Sequence, residues 1–172
     1  KEDKKKLFKI NEKINGKLSI SSDKVYSKHN LVKSFESQIK FYNSNIKIEQ
    51  FLISLGKLGA ADLTGAINNN KKFTNLKFES NIFVDNQKKF LSKFGIYNKD
   101  KVPSDLFVSG SLNLDKAKAI FYEISNNAKF EKEEVNFIET EFNNLMLEDR
   151  FTDLFNFQKF KVFLKSVMSL KN

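Results

Sequence analysis

The first two thirds of the chain alternate between apolar and polar positions. Ile14, Leu18 and Ile20 share a period of two, with Gly16 between them and polar neighbours, and Phe35, Ser37, Ile39 and Phe41 form a second such set. A period of two belongs to a β-strand, whose successive side chains point to opposite faces. Asn43-Ser44-Asn45 interrupts the pattern with short polar residues that tolerate turn geometry, so a hairpin is predicted there. Ile46 and Ile48 resume on one face, and the apolar phase then moves to Phe51, Ile53 and Leu55. A one-residue shift of phase predicts a bulge, or a strand end and restart. Ala61, Leu63, Gly65 and Ile67 alternate again before Asn68-Asn69-Asn70, and Leu76, Phe78, Ser80, Ile82 and Val84 continue the rhythm, with Phe73 off phase before them. A turn at 68–72 would pair these two stretches antiparallel.

The period then changes. Phe90, Leu91 and Phe94 stand at helical spacing with Gly95 behind them, which predicts a short helix over 86–94 ended by a glycine C-cap. After Pro103, Leu106, Val108, Leu112 and Leu114 alternate with Gly110 in phase, and a turn at Asp115-Lys116 leads into 117–124. Ile120, Tyr122 and Ile124 favour a returning strand there, with helix the close competitor because Ala117 and Ala119 suit it too. Beyond Asn126-Asn127, Val135, Ile138, Phe142 and Leu145 fall three and four apart, behind Glu131, Glu133 and Glu134, whose carboxylates suit a helix N-terminus. Phe151, Leu154 and Phe155 continue that rhythm, and Asn156 is a candidate cap for a last helix over about 157–169 carrying Phe157, Phe160, Phe163, Leu164 and Val167. Strands grouped before helices predict a mainly β, α+β fold: a curved, groove-like antiparallel meander over 1–125 and a helical segment over 126–172 that packs on the sheet or caps it.

Composition refines this picture. The 172 residues are enough for one domain with its own core. A net charge of +9 would suit an acidic partner, but there is a single Arg, Arg150, and the lysines are spread along the chain. Nucleic-acid readers favour the bidentate fork of Arg, so no nucleic-acid partner is expected. With no Cys, disulfides and thiolate zinc sites are excluded. His29, beside Lys28 and Asn30, reads as a surface residue. Gly56 and Gly59 lack the Lys-Ser/Thr of a phosphate loop, and no Gly-x-Ser-x-Gly elbow occurs. The acids at Glu133, Glu134, Glu139 and Glu141 read as a solvated helix face, and Glu148, Asp149 and Asp153 as a turn between helices. With no nucleophile–base pair, metal site or cofactor motif, the expectation is a non-enzymatic module that uses its apolar sheet face.

Three stretches carry a family resemblance: 45–49, 58–67 and 78–86, with Phe107-Val108-Ser109-Gly110-Ser111-Leu112-Asn113-Leu114 repeating a strand–Gly–strand phrase. Together they resemble the C-terminal part of the AsmA-like envelope proteins, the family that includes TamB and YhdP. The composition, rich in Lys and Phe, and the long helical tail depart from that family's picture. The resemblance implies a sheet curled into an apolar groove, phospholipid as partner, and no catalytic residue. It also implies a periplasmic location, with anchoring to the inner membrane through a segment upstream of Lys1, as expected of an excised part of a longer chain. The residues expected to form the groove or its core are Ile39, Phe41, Ile46, Ile48, Leu63, Ile67, Leu76, Phe78, Ile82, Val84, Val108, Leu112 and Leu114. For each of them ordinary core burial is the competing expectation.

Overall fold

A computed structural model describes residues 11, 13–26, 29, 31–69, 73–97, 103–146 and 156–169. The lysine run at 4–6, the turn residues 70–72, the acids at 148, 149 and 153, and the apolar residues 151, 154 and 155 lie outside them. The strands are β1 (Gly16–Ser22), β2 (Ser34–Tyr42), β3 (Asn45–Ser54), β4 (Ala60–Asn69), β5 (Thr74–Phe83), β6 (Asp105–Asn113), β7 (Lys118–Asn126) and a two-residue β8 (Ala128–Lys129). They form one open sheet in sequence order, each pair antiparallel. Among the described residues three α-helices accompany the sheet: α1 (Gln87–Lys93), α2 (Lys132–Leu145) and α3 (Phe157–Ser169). The fold is thus mainly β with a helical C-terminal end, and a strand-rich meander follows directly from the alternation.

The phase shift in β3 is a bulge. Gln38 stands opposite Gln50 and Ile39 opposite Ile48, which leaves Glu49 as the extra residue. Phe51 and Ile53 thereby join the face of Ile46 and Ile48, and the apolar face continues through Leu63, Phe78 and Val108. A second bulge lies in β7, where Ser109 faces Glu123 and Gly110 faces Phe121, so that Tyr122 is extra. The alternation of Ile120, Tyr122 and Ile124 therefore does not mark one face. Ile120 and Tyr122 are 50% and 61% exposed, while Ile124 is buried with Phe121 beside it.

Residues 118–124 resolve the competition between strand and helix in favour of strand, and the turn before them, which takes in Ala117, is longer than Asp115-Lys116. Strand β6 ends at Asn113, whose Oδ1 accepts hydrogen bonds from the N–H groups of Asp115 and Lys116, both at 3.0 Å. Leu114 thus belongs to the turn rather than to the strand, and it is buried there. Ala117 closes the turn with a φ of +48°. Strand pairing also outlasts the expected boundary at 125, because Ala128 and Lys129 fold back on Asn126 and Ser125.

The helix ends obey local chemistry. Asn86 Oδ1 accepts from Lys89 N–H at 3.0 Å, and Asn156 Oδ1 accepts from Gln158 and Lys159 N–H at 3.1 and 3.2 Å. At the end of α1 the N–H of Gly95 donates to Ser92 and that of Ile96 to Leu91, a Schellman closure that requires the left-handed φ of +66° found at Gly95. That closure seats Ile96 against Leu91 and Phe94 in a buried cluster, onto which Phe157, Phe160, Leu164 and Met168 of α3 pack. Helix α2 lies along β7 and α3 lies on α2.

Candidate functional site

The apolar face of the sheet divides into two regions. Near the β2–β3 and β6–β7 turns, Ile46, Ile67 and Leu114 are buried together, and Ile39, Phe41, Leu76 and Leu112 pack on them. Ile48, half-buried, stands beside Ile39 and Gly65 on the same face. Of these predicted groove residues, Ile46, Ile67 and Leu114 are buried core, and the others are partly covered around them.

Leu63, Phe78, Ile82, Val84 and Val108 instead line a cavity of about 360 Å³ between the sheet and the helices. Phe121 and Ile124 complete its floor, Ile138 and Phe142 enter from α2, and Phe160, Phe163, Leu164, Val167 and Met168 form its α3 wall. Edge-to-face rings tie floor to roof: Phe78 to Phe121 at 6.4 Å, Phe121 to Phe142 at 5.3 Å, and Phe142 to Phe163 at 5.8 Å between centroids. Phe78 is flanked in the sheet by Gly65 and Gly110. A Cβ on Gly110 would stand 3.2 Å from the tip of the Phe78 ring and 2.5 Å from the Ile120 carbonyl oxygen. The strand glycines therefore make room for the ring at the centre of the floor.

Two polar side chains reach the cavity wall, and both are already engaged. Ser80 Oγ donates to the Asp62 carbonyl at 2.6 Å, and Glu134 Oε2 accepts from the Glu131 N–H at 2.8 Å as part of the α2 capping box. The wall therefore offers apolar contact rather than polar recognition. A roomy apolar cavity stays dry and accepts apolar guests.

The helical half of this site was not assigned from sequence. The apolar stripes of α2 and α3 were legible at spacings of three and four, but their meeting with Leu63, Phe78 and Val108 is long-range and has no local signal.

The outer face carries its charged residues in separate rows, with Leu52, Phe107 and Ile120 also on it. Lys17 stands opposite Lys40, and Lys40 opposite Lys47, while Lys77 lies in the same row two strands further on. The fold thus gathers lysines that the sequence scatters. Glu36 and Asp62 occupy a different row, with Ser21 at its β1 end. A polar depression of about 350 Å³ on this face is lined by Gln38, Glu49, Gln50, Asp62, Thr64 and Glu79 among others. Among the described residues no group of three or more His, Asp or Glu side chains is placed to hold a metal ion, and no helix is long and apolar enough to cross a membrane. His29 is exposed and stacks on Phe157 at 4.1 Å between centroids.

The chain matches no protein-family model, no curated protein and no solved structure.

Proposed function

We propose that this protein is a non-enzymatic lipid-handling module that holds phospholipid acyl chains in the cavity between the sheet and α2–α3, in the manner that its AsmA-like resemblance implies for the Gram-negative envelope. The observation that carries this reading is the wall of the cavity: aliphatic and Phe side chains throughout, with the polar atoms of Ser80 and Glu134 turned to partners of their own. The volume falls in the range of roughly 300–1,000 Å³ typical of small-molecule sites. Burial of an alkyl chain there gains about 25 cal/mol per Å² without any polar contact, so the site suits a hydrocarbon tail whose head group stays outside. The competing reading, an interaction domain with a fully packed face, accounts for the core cluster around Ile46 and Ile67 but leaves the cavity unfilled.

The test is solvent extraction of the purified protein with mass spectrometry of the extract, together with titration of a fluorescent fatty acid. Phospholipid in the extract and saturable probe binding are expected. Val108→Phe, which places a ring in the cavity floor, is expected to weaken probe binding about tenfold or more while the circular dichroism spectrum is kept. No lipid and no saturable binding in the unsubstituted protein would reduce the cavity to a packing defect.

A further inference from the structure

The two edges of the sheet are treated differently. Along β7, the side chains of α2 take the place of a neighbouring strand. Ala119 N–H donates to Asn143 Oδ1 at 2.8 Å, Asn143 Nδ2 donates to the Ala119 carbonyl at 3.0 Å, and Phe121 N–H donates to Glu139 Oε2 at 2.9 Å. β8 pairs with the end of the same strand. At the other edge, β1 has β2 as its only neighbour among the described residues. It runs for seven residues in unbroken register, with no bulge and no proline. Its apolar-face side chains Leu18 and Ile20 are 42% and 45% exposed. An unbroken edge strand with two half-exposed apolar side chains on one face is the kind that accepts another strand.

We propose that β1 is a dimerisation edge, and that its occupant is β1 of a second copy of this chain, antiparallel about a two-fold axis through Ser19. The sequence of β1 is self-complementary in that register. Paired residues share a face, and both apolar side chains of β1 gain an apolar partner when Leu18 meets Ile20 of the second copy, and Ile20 its Leu18. Ser19 then meets Ser19, and Lys17 meets Ser21, so no like charges are opposed.

The charge rows of the outer face agree with the same register. In each copy Lys17 heads the row Lys17–Lys40–Lys47, and Ser21 heads the row that contains Glu36 and Asp62. Joining Lys17 to Ser21 sets the basic row of one copy in line with the acidic row of the other, twice over. The assembly closes at two copies, because the outer edge of each sheet is the β7 edge that α2 covers.

The absence of Cys makes the register directly testable in the 172-residue chain. Opposed residues lie roughly 4.5–5.5 Å apart between Cα atoms, within disulfide reach. Ser19→Cys is expected to oxidise to a covalent dimer, and Ser21→Cys to stay uncrosslinked. Sedimentation velocity is expected to show a monomer–dimer equilibrium. Leu18→Lys with Ile20→Lys opposes lysines across the axis and is expected to weaken dimerisation about tenfold or more. Leu18→Lys with Ile20→Glu opposes Lys to Glu and is expected to restore it. Circular dichroism checks that these exposed substitutions leave the fold intact. A protein that is monomeric at every concentration would overturn the proposal, as would equal crosslinking at positions 19 and 21, or a Lys/Glu variant as dissociated as the Lys/Lys variant.

Discussion

Lys40 is flanked on both sides by lysines, Lys17 in β1 and Lys47 in β3, each directly opposite it in the sheet. Like charges in such positions repel, at a cost of a few tenths to about 1 kcal/mol per pair. Lys17 has partial relief from Glu49, 3.5 Å away. Lys40→Glu converts two repulsions into two attractions. It is expected to raise stability in urea denaturation by about 1 kcal/mol at low salt, and by less at high salt, where exposed charges are screened. An unchanged or lower midpoint at low salt would mean that the side chains already splay apart. Residue-scale features of this kind were only half legible. The lysines could be counted, but their row depends on how β2 pairs with both β1 and β3, which no local spacing states.

At the scale of elements, the local signals held where the physics is local. Gly95 and Asn156 mark helix ends in the sequence, and they satisfy orphan backbone groups of their own helices, as Asn86 does for α1. The β3 bulge was visible as a phase shift because the apolar residues on either side of it are unambiguous. The β7 bulge was hidden. Ile120 and Phe121 are adjacent and both apolar, so either phase fitted the pattern until Gly110 took Phe121 as its partner. Helix α2 also has a role that its periodicity did not announce, since Asn143 stands in for a strand beside Ala119. Asn143→Ala leaves a buried N–H and C=O without partners, and is expected to cost about 2–3 kcal/mol in chemical denaturation. A loss below about 0.5 kcal/mol would show that water or the remaining Glu139 contact replaces it.

At the scale of the whole molecule, the helices are the second layer that an open sheet needs. A chain ending at Asn126 lacks α2 and α3, and so exposes Phe78, Val108, Phe121 and Ile124 together with the β7 edge. It is expected to elute as large aggregates in size-exclusion chromatography. A soluble, strand-rich 1–126 fragment of unaltered size would mean that the helices are dispensable as cover. The sequence by itself determined the order and type of the main elements, because strand alternation, helical spacing and caps are read within a few residues of one another. It also placed the alternating apolar set of β2 to β6 on one face of the sheet. What only the tertiary structure decided is how that face is used. Ile39, Phe41, Leu76 and Leu112 pack around the buried Ile46, Ile67 and Leu114, while Leu63, Phe78, Ile82, Val84 and Val108 meet α2 and α3 across a cavity. Both sets alternate in the same way along their strands. They differ in what stands above them, and that is set by contacts between segments far apart in the chain.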